Sequence, residues 1–280
     1  MKIIKYLTFV LTLALFVISC DKHEILYDTN DVDKNTAEFQ LHYFEPVNNT
    51  AKNYIDSVYI NNILYSSVLG SGQLLPYNGV PGGSTGRFFS VKSGEVNIKF
   101  YRKDNVVYDN KTVLKPGKQN VFIHDLKQPP IVIENEYPYK SNIATGTPKT
   151  WETDSVALVK FYNFLYETPT EPYAGKLQYQ YKDARSGEWT NLGKLVGFGE
   201  ATERVTIKVV KTINNSSGFC RIYYRILDEQ GNILKVMNSS SKMVNYGDWW
   251  NTYIGRAYMH IYKGIRIAKP ISSVSVWTSL

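Results

Sequence analysis

Cys220-Arg221-Ile222-Tyr223-Tyr224-Arg225-Ile226, followed by Asp228-Glu229-Gln230-Gly231-Asn232 and then Ile233-Leu234-Lys235-Val236, decides the fold class of this chain. Cys220, Ile222, Tyr224 and Ile226 alternate with Arg221, Tyr223 and Arg225. That period of two belongs to a strand with one buried and one solvated face. The polar Asp228–Asn232 segment then reads as a hairpin turn into the next strand. The same alternation recurs in Phe39, Leu41 and Tyr43 around Gln40 and His42, in Leu177, Tyr179 and Tyr181 around Gln178 and Gln180, and in Val205, Ile207 and Val209 around Thr206 and Lys208. No stretch carries the 3.6-residue periodicity of an amphipathic helix of three turns. The chain is expected to be all-β.

Working outward, short strands fall into two sets. Residues 37–126 form a first β-sandwich module, with Asn61-Asn62 as a hairpin turn and Ser93-Gly94 as another. Residues 127–153 contain Pro129, Pro130, Pro138 and Pro148 and little periodicity, so they read as a linker, with Ile131-Val132-Ile133 as a short edge strand inside it. Residues 154–280 form the second module. The two match in order: Phe100-Tyr101-Arg102 before a polar turn and Val106-Val107 parallels Tyr223-Tyr224-Arg225 before a turn and Ile233-Leu234. Val113–Gly117 before Val121-Phe122-Ile123 likewise parallels Met243–Gly247 before Thr252-Tyr253-Ile254, which points to internal duplication.

The amino terminus concerns location. Lys2 and Lys5 precede an apolar run from Tyr6 to Ile18, then Ser19-Cys20 and the polar Asp21-Lys22-His23-Glu24. Residues 1–19 have the composition of a secretory signal and an apolar run too short to span a bilayer. Val17-Ile18-Ser19-Cys20 resembles the lipobox of bacterial lipoproteins. The resemblance implies that Cys20 is acylated and becomes the first mature residue, attached to the membrane through its lipid. Residues 20–36 are then a lipidated cysteine and flexible tether. An outer-membrane location follows as an expectation, on the periplasmic or the outer face.

The stretch Ala37–Asp125 resembles a domain of unknown function common in lipoproteins of the Bacteroidetes. It is carried by Asp56-Ser57-Val58-Tyr59-Ile60-Asn61, by the strand pair Phe88–Phe100 around Ser93-Gly94, and by Leu114-Lys115-Pro116-Gly117 leading to Phe122, with a looser match from Ser155 onward. The resemblance implies tandem immunoglobulin-like or transthyretin-like antiparallel β-sandwiches and carries no established activity.

Composition narrows the function classes. The 280 residues hold 32 basic and 25 acidic side chains, and loss of Lys2 and Lys5 with the leader leaves a charge of +5. The excess is dispersed rather than gathered into a basic patch, so no nucleic-acid partner is expected. Use of Cys20 in lipidation leaves Cys220 alone, on the core-facing phase of its strand, as a small hydrophobe rather than a nucleophile. His23, His42, His124 and His260 lack metal-site spacing, and His42 and the His124-Asp125 pair are expected at the surface. Gly82-Gly83-Ser84-Thr85-Gly86 lacks the lysine and helix of a phosphate loop. The expectation is a protein that is not an enzyme, with no catalytic residue, metal or cofactor.

The aromatic residues supply the candidate site. Adjacent strand residues point to opposite faces, so one of Trp249 and Trp250 is expected to be exposed. With Tyr246 and Tyr253 they form the candidate ligand-binding group, suited to stacking on a sugar ring or anchoring a partner. Trp151, Trp189, Tyr137 and Tyr139 are further loop aromatics. Two functions follow as expectations: capture of a glycan or other extracellular ligand beside an outer-membrane complex, or a structural part of the envelope or a surface fibre acting through protein contacts.

Overall fold

The alternating segments are strands, and their apolar phases face inward. The computed structural model describes residues 35–48, 50–67, 88–135, 156–183, 186–209, 219–253 and 256–279, which belong to one compact unit, Lys34–Leu280. The leader, Cys20, the tether to residue 34, the Gly82–Gly86 loop, Tyr137, Tyr139, Trp151 and most of the expected linker lie outside the described residues.

In chain order the first strands are β1 (Thr36–Tyr43), β2 (Ser57–Ile60), β3 (Ile63–Ser67), β4 (Phe88–Lys92), β5 (Gly94–Arg102), β6 (Asn105–Leu114), β7 (Gly117–Ile123) and β8 (Ile131–Glu134). They make two four-stranded sheets, ordered β4-β1-β7-β8 and β3-β2-β5-β6. Phe39, Leu41, Val58, Ile60, Val96, Ile98, Phe100 and Val121 close the core between them. The remaining strands are β9 (Val156–Tyr166), β10 (Gln178–Lys182), β11 (Trp189–Asn191), β12 (Val205–Lys208), β13 (Phe219–Leu227), β14 (Lys235–Met237), β15 (Met243–Asn245), β16 (Gly247–Tyr253), β17 (Ala257–Ile265) and β18 (Ser273–Ser279). Their sheets run β12-β9-β17-β18 and β11-β10-β13-β16, with β14-β15 as a separate hairpin.

The two halves share one topology. Adding eight to β1–β5 and ten to β6–β8 converts the first pair of sheets into the second, and the offset changes because β14-β15 is inserted before β16. Each half has one parallel pair among antiparallel neighbours, β1 with β7 and β9 with β17. This supports duplication but corrects the residue correspondence. β5 does match β13, yet Phe100 is in phase with the buried Tyr224, not with Tyr223, which faces solvent. Val121-Phe122-Ile123 lies in β7, whose counterpart is β17, whereas Thr252-Tyr253 ends β16. The inserted hairpin shifted the match by one strand.

The motifs of the first half are structural. Asn61 and Asn62 take positive φ (51° and 62°), as do Lys103 and Asp104 (48° and 63°), giving two-residue turns whose twist suits β2-β3 and β5-β6. The Asp56 carboxylate accepts the Lys103 backbone N–H. The Asn61 side-chain oxygen accepts the Asn97 N–H at 2.9 Å, which ties the β2-β3 turn to β5. Gln119 spans the Lys115-Pro116-Gly117 corner, accepting from Lys115 N at 3.1 Å and donating to Lys115 O.

A third core lies between the halves. The outward faces of β1, β7 and β8 pack on those of β9 and β17, burying Phe44, Phe122, Tyr162, Phe164, Met259 and Ile261. Phe122 and Phe164 rings are 4.7 Å apart and Phe44 and Phe164 rings 4.8 Å. Two surface expectations are thereby corrected. His42 is buried, stacked on Phe122 at 4.7 Å and donating from Nε2 to Asn120 Oδ1 at 3.3 Å. His124 is buried as well, its Nδ1 2.7 Å from the Tyr166 hydroxyl. The polar phase of β1 and β7 is covered by the second half instead of by water, so strand alternation misassigned it. Burial drives the His42 pKa down to about 3 against the opposing Asn120 bond, with the charge of Lys263 pushing the same way as burial. Lys263, also enclosed, is pushed down to about 7 by desolvation.

Candidate functional site

The outer face of the β11-β10-β13-β16 sheet concentrates the exposed rings. On β13, Ile222, Tyr224 and Ile226 point into the core, which turns Arg221, Tyr223 and Arg225 outward. Registers across the sheet set their neighbours. Lys182 pairs with Trp189, and Tyr223 pairs with Trp249. Continuing the β10/β13 register past Tyr181 and Tyr224 sets Lys182 beside Tyr223. The result is a cross-strand row, Trp189, Lys182, Tyr223, Trp249, about 14 Å long at ordinary strand spacing. Tyr223 is 50% exposed, Trp249 44% and Trp189 39%, the three most exposed aromatic rings among the described residues.

Each tryptophan of the row carries a guanidinium. Arg221 lies over Trp249 at 3.8 Å from the ring centroid, and Arg225 over Trp189 at 4.3 Å. Arg225 is fixed further because its Nε donates to Gln180 Oε1 at 2.8 Å. Such stacking is favourable by roughly 0.5–1 kcal/mol at exposed sites. An open depression of about 580 Å³ lies along this face, lined by Lys182, Trp189, Tyr223, Arg225, Asp248 and Trp249. Gly247, on its margin, leaves little room for a side chain, since a Cβ would stand 3.3 Å from Tyr224 O.

The four expected site residues separate. Trp249 projects outward, as described. Trp250, one residue on, is 5% exposed and belongs to the core, edge-on to Tyr224 at 5.7 Å and to His260 at 4.6 Å. Tyr246 is buried too, and its hydroxyl accepts the Val274 N–H at 2.9 Å. Both rings belong to the core cluster, with Leu234 and Val236 beside them, and Tyr246 meets the depression only at its buried edge. Tyr253 is half-buried, with Arg256 over its ring at 4.2 Å. Tyr223, Arg221, Arg225 and Lys182, which share the outer face with Trp249, were not among the expected candidates. Their signal was the alternation of β13 itself, whose polar phase is rich in arginine and carries a tyrosine.

Other chemistry is sparse. His260 is buried neutral, held down to about 3 by desolvation, with Nδ1 2.8 Å from the Tyr179 hydroxyl. Cys220 is buried and unpaired. Among the described residues no group of three or more His, Cys, Asp or Glu side chains is placed to hold a metal ion, and no helix is long and apolar enough to cross a membrane.

No family model and no curated protein matches the chain. Solved structures do match in part. A leucine-rich repeat protein from Bacteroides thetaiotaomicron shares 8% identity over 82% of this chain and 26% of its own, with a TM-score of 0.20. The TIE protein of Bacillus anthracis shares 10% identity over 82% and 34%, with a TM-score of 0.23. A Bacteroides uniformis protein provisionally assigned to cell adhesion shares 8% identity over 86% and 97%, with a TM-score of 0.24. The chain thus spans about a quarter and a third of the first two solved chains it matches. Superpositions this loose carry no functional argument.

Proposed function

We propose that this protein is a surface-anchored binding protein, not an enzyme, that captures a glycan on the outer face of the β11-β10-β13-β16 sheet. One observation carries the reading: Trp189, Tyr223 and Trp249, far apart in sequence, gather as the three most exposed rings on a single sheet face. Exposed flat rings on a rigid sheet have little conformational freedom to lose when a sugar stacks on them. The test is a polysaccharide and glycan-array screen of the full chain in detergent beside a Trp189→Ala/Tyr223→Ala/Trp249→Ala variant. The expected result is glycan binding weakened at least about tenfold in the variant, with unchanged far-ultraviolet circular dichroism. A variant that binds as the parent does removes this face from the reading.

Anchoring through Cys20 belongs to the same proposal and rests on the sequence of residues 1–20. Two or more acyl chains on one cysteine exceed the marginal hold of a single chain. Cys20→Ser is expected to move the protein from the detergent fraction of cell extracts to the soluble fraction, and an unchanged distribution would refute the anchor.

The second reading is assembly through an edge strand. β6 is ten residues long, ends its sheet beyond β5, and exposes Val106 and Val113. A partner strand added there would extend the sheet. The outward ion pairs Lys99–Asp109 and Lys111–Glu95 give this region the charged character that discourages edge pairing, so ligand capture is the favoured reading.

A further inference from the structure

We infer that the aromatic face takes an acidic polysaccharide, one bearing carboxylate or sulfate groups, in preference to a neutral one. The inference rests on the glycan-capture reading and names its ligand class.

Charge carries it. Arg221, Arg225 and Lys182 all stand on the outward phase of the sheet, interleaved with Trp189, Tyr223 and Trp249. Among the described residues none of the three is ion-paired, although elsewhere Lys99, Lys111, Lys115 and Arg266 each meet a carboxylate. The one carboxylate lining the depression is Asp248, and its Oδ1 accepts the Trp249 backbone N–H at 2.8 Å. Three cations therefore share this face with one carboxylate that pairs with none of them, and net positive charge stands where the exposed rings lie.

Geometry prepares the arginines for an anion. The indoles hold the two guanidinium groups at 3.8 and 4.3 Å from their ring centroids, and the Gln180 contact occupies Nε of Arg225 and leaves its terminal nitrogens for a ligand. A planar guanidinium presented this way suits bidentate bonding to a carboxylate or sulfate. Tyr223, between the two stacked pairs, has no cation over its ring among the described residues, and a sugar ring can lie there. A neutral glycan would have to displace the guanidinium groups from Trp189 and Trp249 to reach those rings, and would leave their charge unanswered. An acidic glycan meets the guanidinium groups where they lie, backed by their indoles, and lays its ring on Tyr223 beside them. Export through the leader brings the protein among envelope and external polymers, which favours a polysaccharide over a nucleic acid.

The experiment is isothermal titration of the full chain in detergent with polygalacturonate, dextran sulfate, unmodified dextran and poly(dT), repeated with Arg221→Gln/Arg225→Gln and Trp189→Ala/Trp249→Ala. Both pairs of substitutions lie on the solvent face, and circular dichroism confirms that they fold. The expected result is binding of one or both acidic polysaccharides at least about tenfold tighter than dextran, with a tenfold or greater loss in each variant and weakening in 0.5 M salt. The better of the two acids distinguishes carboxylate from sulfate recognition. Equal binding of dextran, undiminished in Arg221→Gln/Arg225→Gln, overturns the inference and leaves glycan capture standing. Acidic binding that Trp189→Ala/Trp249→Ala leaves intact reports diffuse charge attraction and overturns it too. Preference for poly(dT), or no binding to any polysaccharide, defeats both the inference and the reading beneath it.

Discussion

Phe122→Ala is expected to cost about 4 kcal/mol of stability, within the ordinary range for truncating a fully buried phenylalanine. The Phe122 ring sits at the centre of the third core, against His42 and Phe164 at 4.7 Å each, Tyr162 at 5.3 Å and Phe44 at 5.9 Å. It is carried by β7, while Tyr162 and Phe164 are carried by β9, so the cavity opens between the two halves, not inside either. The effect should therefore show as lost cooperativity as well as lost stability. Four of the five tryptophans, Trp189, Trp249, Trp250 and Trp277, lie in the second half and none lies in the first, so fluorescence follows the second half while circular dichroism reports on both. In urea the parent is expected to show coincident transitions by the two probes, and Phe122→Ala separated ones. Separated transitions already in the parent would mean that the halves do not support each other, and coincident ones in Phe122→Ala with a loss below about 1 kcal/mol would mean that Phe122 does not carry the coupling.

Acidification is expected to destabilise the chain steeply between pH 6.5 and 3. His42 and His260 are held down to about 3, in both cases chiefly by burial. In the unfolded chain a histidine titrates near 6.5, so across that window the unfolded state binds protons that the folded state refuses. Stability is complete above the unfolded value and lost as pH falls toward the folded one, by about 1.4 kcal/mol per pH unit for each histidine. Lys263, pushed down to about 7, has the same sign in a higher window, and its contribution rises from pH 7 toward 10.5. Glu45 opposes the trend in acid, because burial raises its pKa and the folded state takes up its proton first. Urea unfolding from pH 4 to 6 should show a slope shallower by about 1.4 kcal/mol per unit in His42→Gln and again in His260→Gln. Histidine ring-proton NMR of the native parent, assigned by comparison with the two variants, gives a direct check, since His42 or His260 resonances that titrate near 6.5 would refute the burial account.

Much of the architecture was legible because a half-buried strand writes its pattern locally. Tyr179, Tyr224 and Ile226 were assigned to the core by alternation alone, and Asn61-Asn62 by turn chemistry. The outward phase was harder. On β13 it meets water, and Arg221, Tyr223 and Arg225 stayed exposed; on β1 and β7 it meets another sheet, and Gln40, His42 and Asn120 became buried. Period two reports which residues share a face, and it is silent on what covers that face. The candidate group of rings came apart for a related reason. Trp249 and Trp250 were singled out for being adjacent in sequence, a property that places them on opposite sides of the sheet. Trp249 gains its neighbours Tyr223 and Arg221 from β13, while Lys182 and Trp189 come from β10 and β11, through pairings that no local pattern encodes.

The parallel pairing of β1 with β7 has a mechanical meaning. The chain enters the fold at β1, which lies between β4 and β7, paired with β4 over Thr36–Gln40 and with β7 over Ala37–Tyr43. If the protein is tethered from its amino terminus while its ligand is dragged by flow, tension arrives at Thr36 along the strand axis. The hydrogen bonds to β4 and β7 then share the load together, in shear, instead of parting one after another as at the end of a peeled hairpin. The entry strand is built as a clamp that holds against a pull from the side on which the chain would be moored.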